Sequence, residues 1–288
     1  MSIVIDTPYR STRGRKPSRP AFYYGLHNDA AGGTAIVDRF GNAPNLTVNG
    51  TLGTFWTASR GFGRPSGSAN QLTPASAAWY AGQSVLGGPI ITAGKAVVLG
   101  WLVQWPSAKS TSSEIVLCLG RSNANSAALL IGHGGSSSGY IEMQHRGSGA
   151  STTTYNTFGA GSVYTVGPIH ACCMHLQGTA TGIEAVAFLN GVQVGTLRTL
   201  SWSDNSGSKP SLATFGGDDT ITLLSSRVGA DPGAPTWSQR VGGGNTGGTA
   251  IADVWAVNID NANLGLAQDL ALEAHQYRRA IGSILASI

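Results

Sequence analysis

The segment that decides the fold is Ala96-Val-Val-Leu-Gly-Trp-Leu-Val-Gln-Trp-Pro106. Apolar residues occupy every second position: Val97, Leu99, Trp101 and Val103. Alternate residues of a β-strand point to the same face, so one face of this segment is strongly apolar. Pro106 lacks the N–H that a sheet ladder requires and ends the strand. The segment therefore predicts a strand that lines the interior of a β-sandwich.

Similar patterns continue along the 288 residues of the chain. Further predicted strands are Glu114–Leu119, Ala127–Ile131, Tyr140–His145, Ile169–Leu176, Ile183–Leu189, Val192–Leu197, Ile221–Leu224 and Ala250–Ile259. Clusters of Gly, Ser, Asn and Pro separate them, and the chain contains 41 Gly but only 11% charged residues. About a dozen short strands with frequent turns indicate one all-β sandwich or barrel, since such units commonly reach this size.

One turn and one helix can be placed from the sequence. Asn190-Gly191 divides two apolar runs, and both residues tolerate the positive φ of a type I′ hairpin turn. Apolar residues at three- and four-residue spacing predict a helix from about residue 264 to residue 285, which Gly282 ends or kinks. We expect the apolar last residues, 284–288, to pack on the body or on another subunit.

Positive charge is concentrated at the N-terminus. Residues 1–24 hold five of the 18 basic and one of the 14 acidic residues, so the remainder carries 13 of each sign. The basic residues are Arg10, Arg13, Arg15, Lys16 and Arg19. A nucleic-acid reader usually spreads such residues over a folded face, whereas these lie in a Pro-containing leader. We interpret the leader as an extended arm that docks on an acidic neighbour; a disordered, solvated tail is the alternative.

The cysteines and the apolar content predict a protein that works without disulfides or a membrane. Cys118 and the adjacent pair Cys172-Cys173 match no disulfide framework and no zinc site, so buried free thiols are expected. The start of the chain lacks an apolar signal core, and no apolar run approaches the ~18 residues of a membrane span.

Several segments, taken in order, carry a family resemblance. They are Gly25-Leu26, Thr34–Asn42, Leu46–Gly50, Phe62–Pro65, Ala96–Pro106, Ile183–Gly195, Arg227–Gly229, Ala250–Asn258 and Leu264–Leu272. Over roughly residues 24–280 they resemble the concanavalin A-like, laminin-G-like domains of phage virion structural proteins. The chain departs from the family pattern at Phe188, where Tyr is usual, at Ala252, where Asp is common, and in an insertion from about residue 203 to residue 220.

The resemblance implies an antiparallel two-sheet jelly-roll sandwich. Residues 1–23 would form the extended basic arm, residues 24–263 the sandwich, and residues 264–288 a C-terminal helix and apolar tail. It also implies a virion subunit made in the host cytoplasm, such as a capsid decoration, head-fibre or tail accessory protein. Its partners would be major capsid or tail subunits, and we expect a homo-oligomer, with a trimer as the specific prediction.

The sequence lacks the carboxylate pattern of a glycoside hydrolase. That reaction needs two carboxyl groups held about 5 to 9.5 Å apart across the scissile bond. Laminarinase-like relatives place them in a Glu-x-Asp-x-x-Glu string, which does not occur here, and Glu114, Glu142 and Glu184 each stand alone in their segments. The Gln-x-His strand of alginate-lyase-like members is also missing, because Gly167-Pro168-Ile169-His170 has no Gln. We predict no enzymatic activity.

Two acidic sites could bind a cation or serve the fold. Asp218-Asp219, after two Gly residues, could supply oxygen ligands for Ca²⁺, as some family members do near loops, but a polar turn is the simpler explanation and the one we favour. Asp253 lies in mid-strand and needs a partner or solvent; a structural hydrogen bond is the simpler explanation there. His133, His145, His170 and His175 show no metal-ligand spacing.

Three aromatic residues are candidates for stacking on a sugar ring. Trp202, Trp237 and Tyr155 lie in loop-like sequence, where an exposed flat ring could bind a pyranose. A loop Trp can equally cover the core or anchor a subunit interface. Three hypotheses follow: a virion structural subunit, a carbohydrate- or receptor-binding module of a phage tail that recognises a cell-surface glycan, and a polysaccharide-degrading enzyme.

Overall fold

The protein folds as a two-layer antiparallel β-structure with one helix on its outer face. A computed structural model describes residues 19–25, 35–38, 46–49, 56–57, 61–63, 71–74, 96–104, 114–121, 128–133, 140–146, 153–159, 165–179, 182–201, 219–223, 250–259, 265 and 267–275. The strands are β1 Arg19–Gly25, β2 Ala35–Ile36, β3 Leu46–Asn49, β4 Trp56–Thr57, β5 Gly61–Gly63, β6 Gln71–Pro74, β7 Ala96–Gln104, β8 Glu114–Arg121, β9 Ala128–His133, β10 Ile141–Arg146, β11 Thr153–Phe158, β12 Ile169–Gly178, β13 Gly182–Leu189, β14 Val192–Ser201, β15 Asp219–Leu223 and β16 Ala250–Ile259. The helix, α1, covers residues 267–275.

The strands form two eight-stranded sheets. Sheet A has the order β14-β13-β12-β7-β16-β5-β4, and β1 also pairs with β16. Sheet B has the order β11-β10-β9-β8-β15-β6-β3-β2. Non-sequential neighbours such as β7 and β16 show that connections cross between the sheets, as in a jelly roll. The predicted all-β, antiparallel jelly-roll sandwich with a C-terminal helix is confirmed.

Strand β7 lies at the centre of sheet A and is buried on both faces. Trp101 pairs with Cys172 of β12 on one side and with Val254 of β16 on the other. Trp101 donates a hydrogen bond to His133 of sheet B, so the odd-numbered residues of β7 face sheet B. The even-numbered residues face the helix. Burial of each large apolar side chain contributes roughly 1.5–3 kcal/mol, so β7 contributes strongly to the stability of the sandwich.

Helix α1 covers the outer face of sheet A. Its buried residues belong to one apolar cluster with that face: Tyr23, Ala96, Val98, Leu102, Ile169, Ala171, Cys173, Val186, Phe188, Trp255, Val257, Ala267, Leu270, Ala271 and Ala274. Three of the four helical members are alanines, whose small side chains let the helix approach the sheet closely. The predicted helix is confirmed over residues 267–275, and residues 276–288 lie outside the described residues.

The Asn190-Gly191 turn has the predicted conformation. Asn190 has φ 52° and Gly191 has φ 82°, as a type I′ turn requires. The Asn190 backbone N–H donates to Ala171 O at 2.7 Å, and its side-chain Oδ1 accepts from Ala171 N at 3.0 Å. The side chain of Asn190 thus ties the turn to strand β12.

Strand β1 begins at Arg19, inside the stretch that the sequence assigned to the arm. Phe22 and Tyr24 are completely buried, and Tyr23 N donates to the Asp38 carboxylate at 2.8 Å. Residues 19–23 of the predicted arm thus lie in β1, where the aromatic residues gain free energy from burial; the division into arm, sandwich and tail stays a prediction. Residues 1–18 lie outside the described residues.

Cys172 and Cys173 are buried and form no disulfide bond. Cys172 pairs with Trp101 on the inner face of sheet A, and Cys173 pairs with Gly100 on the outer face. No helix in the described part of the chain is both long and apolar enough to cross a bilayer.

Gly100 gives the first testable prediction. A Cβ at this position would collide with the six-membered ring of Trp255, which lies flat over the glycine on the outer face of sheet A. We expect Gly100→Ala to lower the free energy of unfolding by about 1–3 kcal/mol in urea titrations, because overpacking forces side chains off their rotamers. In a Trp255→Phe background, which removes the colliding ring atoms, the same substitution should cost less; an equal cost in both backgrounds would contradict this packing.

Candidate functional site: the cleft between the two edge strands

The terminal strands of the two sheets meet along one side of the sandwich. Strand β14 ends sheet A and strand β11 ends sheet B. A Cβ added to Gly195 of β14 would lie 2.8 Å from the backbone N of Gly159 and 3.4 Å from Cα of Phe158, just where β11 ends. The backbones therefore approach each other closely at Gly195, and from there both edges run toward the end of the sandwich that carries Thr153 and Ser201.

Polar residues occupy inner-face positions on both edge strands. Arg198 pairs with Ala185, and Ala185 pairs with Leu176, which belongs to the buried core. On β11, Asn156 pairs with Met143, a completely buried residue of sheet B. Because directly paired residues share a face, the positions of Arg198 and Asn156 lie on the faces that the two sheets turn toward each other.

This polar stretch is open to solvent on the β14 side. Thr196, Leu197, Arg198 and Thr199 are all exposed, and Leu197 is 47% exposed. Buried Phe158 and buried Leu200 limit the open stretch at its two ends. We call the region between positions 196 and 198 of β14 and positions 154 and 156 of β11 the edge cleft.

Two of the three predicted sugar-stacking residues lie beside the edge cleft in the chain. Tyr155 is in β11 between Thr154 and Asn156, and its pairing with Gln144 places it on the opposite face of sheet B from Asn156. Trp202 directly follows Ser201, the last residue of β14, but Trp202 itself lies outside the described residues. Trp237 also lies outside them. Their role in binding stays a prediction.

The described residues do not bring the predicted Ca²⁺ ligands or the basic arm residues together in a binding site. Asp219 opens strand β15 and pairs with Arg121, while Asp218 lies outside the described residues. Within the described ranges, no group of three or more His, Cys, Asp or Glu residues could hold a metal ion. Of the arm residues, Arg19 pairs with Asn258 in sheet A, and Arg10, Arg13, Arg15 and Lys16 lie outside the described residues.

A buried hydrogen bond between Trp101 of β7 and His133 of β9 joins the two sheets. Trp101 Nε1 donates to His133 Nε2 at 3.0 Å, and the two rings are nearly perpendicular with centroids 5.7 Å apart. This bond leaves the ring proton of neutral His133 on Nδ1. Burial, with a smaller contribution from the nearby His170, lowers the pKa of His133 to about 3. His133 is therefore neutral at physiological pH and serves the packing of the sheets.

His170 links the Asn190 turn to the exposed loop before β12. The Asn190 amide donates to His170 Nδ1 at 3.1 Å, and His170 Nε2 donates to the Thr165 carbonyl at 2.9 Å. Gln104 Nε2 donates to the Gly167 carbonyl at 2.6 Å and holds the same loop. Both ring nitrogens of His170 are used in structural bonds, so this histidine is not arranged as a catalytic base.

The buried carboxylates of the described residues lie in separate places. Glu142 is on the outer face of sheet B, since it alternates with the inward-facing Ile141 and Met143. Asp253 pairs with Gly25 and Leu102 on the outer face of sheet A and is completely buried. Asp38 accepts a hydrogen bond from the backbone of β1. These three carboxylates do not face a common space, and the burial of Asp253 agrees with a structural role.

Sequence reasoning did not single out Arg198, Thr154 or Asn156. A polar residue in a predicted strand is ordinarily assigned to the solvent face. Alternation along β14 places Arg198 on the same face as Val194, but only the pairing with Ala185 shows that this face is the inner one. The sequence feature that could have indicated the edge strand β11 is the run of uncharged polar residues in Thr153–Phe158, which is unlike the sequence of a buried strand.

Comparisons with known proteins place the fold among β-sandwich proteins. No protein-family model matches the chain, and no curated protein matches it. A solved structure of Trypanosoma rangeli sialidase in complex with 2,3-difluorosialic acid matches 91% of this chain with a TM-score of 0.51 and 11% identity. The match covers 33% of the sialidase chain, so the protein spans about a third of that enzyme's length.

Two further matches have lower scores. A structure described by the dependence of type C botulinum neurotoxin cell entry on two ganglioside molecules matches 90% of this chain and 51% of its own, with a TM-score of 0.46 and 11% identity. The Ruminococcus gnavus IT-sialidase CBM40 bound to α2,3-sialyllactose matches 63% of this chain and 84% of its own, with a TM-score of 0.38 and 10% identity. The sialidase match shows a shared jelly-roll, concanavalin-like sandwich fold, and the fold alone.

The buried histidine predicts a loss of stability in acid. The folded-state pKa of His133, about 3, lies below the ordinary value of 6.5, so stability is full above pH 6.5 and falls as the pH drops toward 3. This residue alone should remove about 2 kcal/mol of unfolding free energy at pH 5 relative to pH 8. His133→Gln keeps an oxygen acceptor for Trp101 but cannot titrate, so urea titrations should show a shallower pH dependence for the variant. An unchanged dependence would show that His133 is not buried as a neutral side chain.

Proposed function

We propose that this protein is a non-enzymatic carbohydrate-binding module whose site is the edge cleft. The observation that carries the proposal is the solvent exposure of Arg198, a polar residue at an inner-face position of edge strand β14, next to the edge strand β11 of the other sheet. Inner-face positions are normally apolar and buried, as Ala185 and Ala187 are on the neighbouring strand of the same sheet. Exposed polar side chains at such positions are hydrated, and the hydroxyl groups of a bound sugar can replace that water.

The chemistry of the cleft suits a sugar. Hydroxyl groups of a sugar are both donors and acceptors, and the Thr and Asn side chains in these two strands offer both functions. Trp202, next to the cleft in the chain, would add aromatic stacking. An aromatic ring beside oriented polar groups is typical of small-molecule binding sites.

The shared fold also supports carbohydrate binding. The sialidase that matches 91% of this chain was solved with a sialic acid derivative, so a protein that handles a sugar is among the structures that share this fold. We propose binding without chemistry because the described carboxylates Asp38, Glu142 and Asp253 do not face one another, whereas glycoside hydrolysis requires a facing pair.

The virion-subunit hypothesis stays a prediction. Its docking argument depends on the basic leader and on the apolar C-terminal residues, and residues 1–18 and 276–288 lie outside the described residues. The matched structures named above are sialidases and a neurotoxin. Virion partners, a trimeric state and a cell-surface glycan receptor are compatible with a sugar-binding body, but the carbohydrate-binding function does not depend on the first two.

Glycan binding by the intact chain tests the proposal. We expect the wild-type protein to bind a subset of an array of natural glycans, and calorimetry with the best ligand should give a measurable Kd. Replacing both Thr154 and Asn156 by Ala should weaken that binding about tenfold, or ~1.4 kcal/mol, because two ligand hydrogen bonds are lost. Trp202→Ala should weaken it similarly, because its ring would stack on the sugar.

The matched control is Thr199→Ala. Thr199 is exposed on the same edge strand but pairs with Glu184, which places it on the outer face of sheet A, away from the cleft. Its removal should change Kd less than twofold. Absence of binding to any glycan, or equal losses for the control and the cleft variants, would contradict the proposed site. Release of free sugar from a polysaccharide would contradict the non-enzymatic assignment.

A further inference from the structure

We propose that His175 makes the docking of helix α1 on sheet A sensitive to acid, so that protonation of this side chain releases the helix while the two sheets stay packed. The feature behind the proposal is a buried imidazole in the apolar layer between the sheet and the helix. The proposal does not depend on carbohydrate binding, because α1 lies on the outer face of sheet A, whereas the edge cleft lies between the sheets.

His175 lies in a row of valines on the outer face of sheet A. It pairs with Val98 of β7 and with Val186 of β13, and it shares its face with Cys173, two residues earlier in β12. Val98 and Val186 belong to the apolar cluster that includes the four buried residues of α1. His175 itself is only 2% exposed, so it lies beneath the same outer layer.

A proton added to His175 would be a buried charge. None of the described residues forms a hydrogen bond with its buried Nε2 atom. Burial lowers the pKa of this side chain from 6.5 to about 4, so the imidazole is neutral at physiological pH. An imidazolium at this position would lose its hydration without gaining a bonded partner, which destabilises the layer that covers it.

The titratable side chains on the surrounding elements do not offset this loss of hydration. In the described part of the outer layer they are Tyr23 of β1, Cys173 of β12, Glu184 of β13, Asp253 of β16, and Asp269, Glu273 and His275 of α1. A carboxylate that held the imidazolium would raise the pKa of His175, whereas burial lowers it. Protonation is therefore relieved by exposing His175 to water.

Release of α1 is the least costly way to expose His175. Three of the four buried residues of α1 are alanines, and Leu270 is the only large apolar side chain among them. Each alanine removes little more than a methyl group from water, so the helix buries much less apolar surface than the inner faces of the sheets do. The backbone of sheet A separates His175 from that inner layer, which can stay packed when the helix leaves.

Proton linkage gives the sign and the size of the effect. The pKa of about 4 with the helix docked lies below the ordinary value of 6.5, so docking is fully favoured above pH 6.5 and weakens as the pH falls toward 4. If hydrated His175 has its ordinary pKa, the ratio of released to docked helix rises about 30-fold between pH 8 and pH 5.

The two adjacent cysteines allow this release to be measured. Cys173 is buried on the same face as His175, whereas Cys172 is buried on the inner face. Two reporter chains, Cys118→Ala with Cys172→Ala and Cys118→Ala with Cys173→Ala, each keep one of these thiols. The rate of reaction with 4,4′-dithiodipyridine, which reacts with thiols in acid, is divided by the rate for free cysteine at the same pH. When the helix recloses faster than the thiol reacts, this ratio is proportional to the released fraction.

We expect the normalised rate at Cys173 to rise about 30-fold from pH 8 to pH 5. His175→Gln cannot titrate, so the rise in that variant should be less than about threefold. At pH 5, Cys172 should react at least about tenfold more slowly than Cys173, because the inner layer stays closed. Amide exchange should show the same separation, with residues 267–275 losing protection in acid and residues 96–104 keeping it.

The matched control is His133→Gln, which removes the buried histidine that lies between the sheets. This variant should keep the acid-induced rise at Cys173, since His133 does not belong to the outer layer. Circular dichroism at pH 8 verifies that each variant is folded. Should His175→Gln fold poorly, the comparison of the two exchange regions in the chain with its native His175 provides the second test.

Three results would overturn the proposal. The first is a rate at Cys173 that does not rise in acid. The second is a rise that persists in His175→Gln, because another group would then be the sensor. The third is a reaction of Cys172 as fast as that of Cys173 at pH 5, or an equal loss of protection in both exchange regions, because acid would then open the whole sandwich.

Discussion

The flat contact between Gly100 and the Trp255 ring determines how sheet A is built. Because Gly100 has no side chain, the largest aromatic residue of β16 can lie across β7 and provide a smooth outer face. Helix α1 packs on that face with alanines, and the inner face of the same strands packs on sheet B. A strand buried on both faces must be apolar along its length, and the segment 96–103 is apolar throughout.

The features that the sequence predicted correctly are those in which local pattern and tertiary burial agree. β7, β16 and the Asn190-Gly191 turn were predicted within one residue of their observed bounds, since alternation or the need for positive φ specifies each of them directly. β1 and β11 were not predicted. β1 was missed because its aromatic residues directly follow the basic leader, which indicated an extended arm. β11 was missed because most of its residues are polar, and its pairing with β10 is seen only in the structure.

The candidate site also shows that local sequence cannot predict features that depend on long-range pairing. Tyr155 and Trp202 could be named from residue type alone, because exposed aromatic rings suit sugars wherever they lie. Arg198 could not, because only its pairing with Ala185 of β13 shows that its position lies on the inner face. Sequence pattern therefore predicts which residues could bind, whereas long-range pairing decides which of them share a cleft.

The close approach of Gly195 to Gly159 has a consequence for the spacing of the two sheet edges. At this point the separation of the two edges is set by main-chain atoms in contact, which cannot rotate away as side chains do. A larger residue at position 195 would therefore have to push the two sheet edges apart, so this one position limits how closely the edge of sheet A can approach that of sheet B.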